Sequence, residues 1–266
     1  MTSGFQQFIK NYFRFEVFGI ENVKEFPEGT PIIFCGNHQS HLDTMTLAAA
    51  VKPIRTYLTS ITPVKAMLSN KVFVLTRTCG IYPISTENPD MSLDYLYASL
   101  KYNLGIFLFI QGKRKPRTPF HDYKLLKNEG KTGTGRLILR MNGKVPVIPY
   151  YTHGTGEALS KNNMIPKRKT YISLTFGRPM FFDHHFQEGG WKKNEEFFNA
   201  ARVITDQIMN EIYDLMMKTE RPYFQLLEQI FKCSLSEICL SPKTERILRK
   251  LNRKIADLST QNLKEL

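Results

Sequence analysis

The chain has 266 residues, of which 42% are hydrophobic and 23% charged, a composition typical of a folded globular protein and too apolar for a disordered one. Lysine and arginine outnumber aspartate and glutamate by 37 to 24, which gives a formal net charge of +13. This excess favours anionic partners, and composition does not choose among a phospholipid surface, a nucleic acid and a phosphorylated substrate.

The cysteine pattern and the hydropathy give expectations about compartment. Four cysteines contain no Cys-x-x-Cys pair and have no histidine at zinc-finger spacing: Cys35, Cys79, Cys233 and Cys239. The first 20 residues lack the apolar core of a signal peptide, and no apolar run approaches the roughly 18 residues of a membrane span. We therefore expect reduced thiols, no metal site and a cytoplasmic protein that would act on lipid from the bilayer surface.

Residues 1–29 are predicted to form an amphipathic N-terminal segment. Helical spacing places five apolar side chains on one face, between the cations Lys10 and Arg14: Phe5, Phe8, Ile9, Tyr12 and Phe13. Such a helix suits a membrane interface. It suits equally a helix that docks on the domain and covers its core, and the sequence leaves both interpretations open.

The following part of the chain alternates short apolar runs with helical patterns. Strands are predicted at 31–35, 54–61, 105–110, 145–150 and 171–176, and helices begin near residues 40, 89 and 134. Continuous apolar strands are typical of parallel sheets that are covered on both faces. The alternation indicates an α/β fold, with a mostly parallel sheet flanked by helices over residues 30–182.

The first strand is joined to the first helix of this core by a polar run, Asn37-His38-Gln39-Ser40-His41-Leu42-Asp43. A histidine at the carboxyl end of such a strand lies where α/β proteins bind ligands. To act as a base it must be held in one tautomer, and a nearby carboxylate such as Asp43 holds it by accepting the Nδ1 proton. Ser40 and Asp43 also have the spacing of a helix capping box, which is compatible with that role.

This run resembles the first block of the glycerolipid acyltransferase superfamily, which includes the lysophosphatidate acyltransferases. Members carry a His-x-x-x-x-Asp motif, matched here by His38 and Asp43. The resemblance implies that His38 removes a proton from an acceptor hydroxyl, that Asp43 orients His38 and that Asn37 helps to bind substrate. It implies an acyl donor that is a thioester of coenzyme A or acyl carrier protein, and no other cofactor.

Further blocks of the superfamily are matched in part. After strand 105–110, Phe109, Gly112 and Arg114 match the third block, while Gln111 replaces its glutamate, and the arginine that usually closes the second block is absent near residues 85–86. Residues 145–150 match the fourth block well. The resemblance implies substrate-binding roles, chiefly toward anionic groups, for Lys65, Gly112, Lys113, Arg114 and Lys131.

Residues 183–266 are predicted to form a helical C-terminal extension packed on or beside the core. A long helix pattern over 195–217 has one apolar face, and Pro222 is expected to interrupt it. A last helix over about 243–258 is basic on one side and apolar on the other. That pattern suits a membrane surface, a partner groove or a solvated face over a docked stripe.

Together these features predict a peripheral membrane O-acyltransferase of phospholipid biosynthesis, cytoplasmic and on the inner face of a membrane. Its expected partners are an anionic membrane surface, a lysolipid acceptor and the acyl donor. The identity of the acceptor, the acyl length, the donor carrier and the oligomeric state stay open. A lipid-binding protein of the same fold with weak or no activity is the alternative. A nucleic-acid binder is suggested by the net charge alone, and no nucleic-acid motif supports it.

Overall fold

The computed structural model describes residues 2–55, 57–63, 80–84, 89–114, 130–159 and 165–231. Within these ranges the helices are α1 (Thr2–Tyr12), α2 (Glu21–Lys24), α3 (Leu42–Val51), α4 (Pro89–Lys101), α5 (Gly133–Arg140), α6 (Thr155–Ala158) and α7 (Glu195–Phe231). The strands are β1 (Arg14–Phe18), β2 (Ile32–Gly36), β3 (Leu58–Pro63), β4 (Ile81–Ile84), β5 (Gly105–Phe109), β6 (Val147–His153) and β7 (Tyr171–Phe176).

In the described part of the chain, seven strands form one sheet in the order β1-β7-β6-β2-β5-β3-β4. Strand β2 pairs in parallel with β5 and β6, and the pairs β5–β3, β3–β4 and β1–β7 are also parallel. Strands β6 and β7 are antiparallel. The predicted α/β fold with a mostly parallel, helix-flanked sheet is confirmed. Strands β2, β5 and β6 end at one edge, which we call the carboxyl edge.

Successive side chains of each strand point to opposite faces of the sheet, and helices cover both faces. Phe34 and its neighbours on the same face pack with α3. Ile33 and Ile106 face the other side, where they pack with apolar residues of α4, α5 and α7. The strands are therefore rigid supports for the loops that leave the carboxyl edge.

Helix α3 is buried along its whole length, since all ten of its residues are classed as buried. One side faces the sheet, and the other is covered by Ile9 of α1 and by Phe13, the residue that follows α1, which pack with Leu42 and Met45. The docked interpretation of the N-terminal helix is therefore correct for these two residues. Phe8, in contrast, is 50% exposed.

The sheet also begins earlier in the chain than residue 30. Strand β1 lies inside the segment 1–29 and pairs with β7, with Arg14 opposite Tyr171 and Phe18 opposite Thr175. The N-terminal segment thus supplies an edge strand as well as a helix. Strand β3 is also shifted, because it covers Leu58–Pro63 in place of the predicted residues 54–61.

The C-terminal extension packs on the core through α7. Its predicted apolar face is buried, with Ala201, Ile204 and Ile208 each 0% exposed. Gly135 allows α5 to approach this helix closely, because a Cβ there would lie 2.1 Å from the carbonyl oxygen of Ala201. The expected break at Pro222 is wrong, since α7 continues to Phe231. A proline removes one hydrogen bond from the ladder, and the packed stripe before it holds the helix in place. The predicted basic helix over 243–258 lies outside the described residues.

Candidate active site

A histidine and a carboxylate meet at the carboxyl edge. His38 lies in the loop between β2 and α3, residues 37–41, which we call the catalytic loop for the role expected of His38, and Asp43 lies in the first turn of α3. The Nδ1 atom of His38 lies 2.7 Å from Oδ2 of Asp43. The Asp43 side chain is fully buried, whereas that of His38 is 16% exposed. When Nδ1 carries the proton shared with Asp43, Nε2 keeps its lone pair and is the basic atom of the ring. The arrangement is that of an oriented general base whose ring is partly exposed to solvent.

Asp43 is held by four donors, which makes the burial of its charge possible. Besides His38, Oδ2 accepts the backbone N–H groups of Gln39 at 2.6 Å and Ser40 at 2.8 Å. The hydroxyl of Thr155, at the start of α6, donates to Oδ1. The bond from Ser40 is the backbone half of the predicted capping box, while the Ser40 hydroxyl accepts from the N–H of Leu42 at 3.3 Å.

The imidazole of His38 is fixed from a second direction by β5. The ring of Phe109 stacks on it, with centroids 3.8 Å apart and planes inclined by 8°. The backbone N–H of His38 donates to the side-chain oxygen of Gln111 at 3.2 Å. Stacking and hydrogen bonds together restrict the His38 ring to the orientation in which it contacts Asp43.

Gln111 therefore has a structural contact with the catalytic loop that the sequence did not reveal. It is 4% exposed and lies directly after β5. An amide oxygen accepts a backbone N–H as a carboxylate would, but it brings no charge into the buried site. The only hint in the sequence that this position is special was that Gln111 replaces the glutamate of the family motif.

Asn37 is placed to support the loop. Its amide nitrogen donates to the carbonyl of Thr152 at 2.9 Å, and its oxygen accepts the N–H of Thr152 at 2.8 Å. The side chain is 3% exposed. These two bonds tie the end of β2 to β6, and the substrate-binding role implied for Asn37 stays a prediction.

The predicted cations gather beyond β5. Gly112 has a φ of +68°, a conformation that favours glycine, and a Cβ at this position would lie 3.2 Å from Cγ of Lys131. The backbone N–H of Lys131 donates to the carbonyl of Ile110 at 2.8 Å. Lys113 and Lys131 are exposed and Arg114 is partly exposed. The structure thus brings together these members of the predicted anion site, whereas Lys65 lies outside the described residues.

His41 links this cationic cluster to the catalytic loop. Burial lowers its pKa to about 4, and the positive charges of Arg114 and His38 act in the same direction. The imidazole of His41 is therefore neutral near pH 7. It adds hydrogen-bonding capacity beside His38 without adding a second cation.

The chain is similar to known proteins in its sequence and in its structure. One structural match, 18% identical with a TM-score of 0.49, is the crystal structure of the 1-acyl-sn-glycerophosphate (LPA) acyltransferase PlsC from Thermotoga maritima, and the alignment covers 79% of each chain. No curated protein matches this sequence. The family model Acyltransferase matches residues 14–153, more than half of the chain. The chain therefore belongs to the acyltransferase family, as the residues around His38 predict.

Proposed function

We propose that the protein transfers a fatty acyl group from an acyl thioester, of coenzyme A or acyl carrier protein, to a hydroxyl of a lysophospholipid or related glycerolipid at a membrane surface. The observation that carries this proposal is the contact of 2.7 Å between His38 and the fully buried Asp43. A base held in one tautomer is what activation of a hydroxyl requires.

The reaction runs in two steps that need no acyl-enzyme. In the first, Nε2 of His38 takes the proton of the acceptor hydroxyl while its oxygen attacks the thioester carbonyl carbon. A tetrahedral intermediate forms, and Asp43 stabilises the imidazolium. In the second, the carbonyl reforms, the carbon–sulfur bond breaks and the sulfur takes the proton from His38. The products are the ester and the free thiol.

The direct test is the release of thiol from an acyl thioester by the purified protein, with and without a panel of lysolipids. We expect release that depends on the acceptor, and mass spectrometry should show the acylated product. No acceptor-dependent release with any lysolipid, from either donor carrier, would favour the alternative of a lipid-binding protein of the same fold. Four hydrogen bonds hold Asp43 in the position from which it orients His38. They argue against that alternative, because lipid binding alone needs no oriented base.

The cations beyond β5 support an anionic group on the acceptor or donor. Arg114→Ala should raise the KM of that substrate by about tenfold, which corresponds to the loss of one charge-assisted hydrogen bond. Arg140→Ala is the matched control, since Arg140 forms an exposed pair with Asp94 on the α5–α4 surface. Steady-state kinetics with varied acceptor and donor assign the effect, and an unchanged KM for both substrates would contradict it.

Because Gln111 replaces the family glutamate and the second-block arginine is absent, we also infer weaker dependence on a phosphate monoester than a lysophosphatidate enzyme has. A strong preference for lysophosphatidate within the lysolipid panel would contradict this inference.

A surface beside the catalytic loop supports attachment to a membrane. The described residues contain no helix that is long and apolar enough to cross a bilayer. The ring of Phe8 lies 5.3 Å from that of Tyr12, whose hydroxyl donates to the carbonyl of Pro166. The adjacent Ile165 is 78% exposed. Exposed cations border this apolar strip: Lys10, Arg14, Lys167, Arg168 and Lys169. Apolar side chains bordered by cations suit the surface of an anionic bilayer. For a cytoplasmic protein that surface is the inner face of the membrane.

Phe8→Ser should weaken binding to vesicles of anionic phospholipid by roughly three- to tenfold, because the variant loses most of one buried aromatic side chain. Phe186→Ser is the control, since Phe186 is 52% exposed against 50% for Phe8 and its ring centroid lies 5.2 Å from Nζ of Lys144, which precedes β6. Vesicle co-sedimentation measures both. Equal binding by the two variants would show that the apolar strip around Phe8 does not contact the membrane.

A further inference from the structure

A chain of hydrogen bonds runs from helix α7 to the catalytic loop, on the face of the sheet opposite α3. Glu220, which is 5% exposed, accepts the hydroxyl proton of Tyr151 over 2.5 Å. The amide nitrogen of Gln39 donates to the same hydroxyl oxygen over 3.5 Å. A residue of the C-terminal helix is thus connected to the residue that follows His38.

Gln39 is tied at both ends. Its side chain, 7% exposed, contacts Tyr151, while its backbone N–H donates to Oδ2 of Asp43 at 2.6 Å. That carboxylate oxygen is the one that accepts from His38. A displacement of Gln39 therefore changes the group that orients the base, although Tyr151 and Glu220 do not touch His38 themselves.

The burial of Glu220 is unusual for a residue whose only task would be packing. The preceding turns of α7 bury apolar side chains at corresponding positions, including Ile212, Leu215 and Met216. A buried carboxylate is costly unless hydrogen bonds compensate its lost hydration. Glu220 receives such bonds from Tyr151 and from Nδ1 of His153 at 3.1 Å. A leucine would avoid this cost, so the acid points to a role in the polar network. Glu220 also lies beyond residues 14–153 of the family match.

We propose that Tyr151 and Glu220 are positioning residues of the acyl transfer, which hold Gln39 so that Asp43 keeps His38 in its reactive orientation. This inference rests on the proposed function, because it assigns a task within the same reaction. It makes α7 a part of the catalytic unit, in addition to its packing on the core.

The kinetic test uses Tyr151→Phe, which deletes one hydroxyl and keeps the ring. We expect kcat to fall roughly three- to tenfold with KM nearly unchanged, as for coupled residues of one hydrogen-bond network. Tyr171→Phe is the matched control, because its hydroxyl also donates to a carboxylate, that of Glu16, at 3.2 Å, but Tyr171 lies at the start of β7, opposite Arg14 of β1. Glu220→Gln, which keeps an acceptor oxygen, should retain more activity than Glu220→Ala.

A double variant separates positioning from mere stability. In the His38→Ala background, Tyr151→Phe should cause no further loss of the residual rate, because the base that it helps to orient is gone. A purely structural role would lower the rate by the same factor in both backgrounds. Thermal unfolding of Tyr151→Phe and Tyr171→Phe shows whether the two substitutions cost similar stability.

A second measurement does not depend on activity. The imidazole resonances of His38 in labelled protein report the proton shared with Asp43, and they should shift in Tyr151→Phe but not in Tyr171→Phe. If the wild type transfers no acyl group, the proposed function fails and this spectrum still decides about the network. Unchanged His38 resonances in Tyr151→Phe, or equal kcat for Tyr151→Phe and wild type in an active enzyme, would overturn the inference.

Discussion

Replacement of His38 by alanine should lower kcat by about 10²–10⁴-fold, the range that general-base catalysis contributes. The acceptor hydroxyl is a weak nucleophile near neutral pH, and the variant has no group to take its proton. The side chain is partly exposed and stacks on Phe109, so its loss should leave vesicle binding and thermal stability close to wild type.

His184→Ala is a suitable control for this experiment, because His184 is exposed and lies away from the carboxyl edge, after β7. Thiol release dependent on acceptor is the measurement for wild type and both variants. Equal rates for wild type and His38→Ala would end the case for His38 as the base.

Asp43→Asn should reduce kcat by at least about tenfold, to a rate still above that of His38→Ala, since the base remains but in a poorly defined tautomer. It should also destabilise the fold by about 1–3 kcal/mol, because an amide cannot satisfy all the buried donors that meet the carboxylate.

The stability part of this prediction follows from contacts that a surface aspartate lacks. Asp94 is 63% exposed and pairs with Arg140, so Asp94→Asn should change the free energy of unfolding by no more than about 1 kcal/mol. Urea unfolding together with kcat compares the two variants. If Asp43→Asn were as stable as Asp94→Asn, the hydrogen bonds to Asp43 would contribute less than the structure indicates.

The central part of the fold was predictable because its strands are locally distinct. Residues 31–35 and 105–110 are continuous apolar runs, and both became buried parallel strands within a residue of their predicted bounds. Strand β1 was missed because its pairing partner, β7, lies more than 150 residues away, and five residues of mixed polarity carry little local signal. Tertiary packing likewise decided that α7 continues past Pro222.

The residues of the site also differ in whether the local sequence could predict them. His38 and Asp43 are close in sequence, and the whole run from Asn37 to Asp43, which resembles the first block of the family, predicted the pair. Gln111 follows β5, and Thr155 begins α6 after β6. Only the order of the strands brings these two residues to the same edge as the end of β2. No residue pattern near Gln111 or Thr155 predicts these contacts.

The pairing of β1 with β7 has a consequence for synthesis of the chain. Arg14 pairs with Tyr171, and the carbonyl that accepts from the Tyr12 hydroxyl belongs to Pro166, so the pairing of β1 and this contact of α1 can form only after residues 166–176 have been synthesised. Until then, the cluster that α3 forms with Ile9 and Phe13 lacks Ile172 of β7. Contacts of such long sequence separation form slowly, since loop closure must precede them. A nascent chain that stops before β7 would therefore expose the apolar side of α3, which makes incomplete chains a target for chaperones.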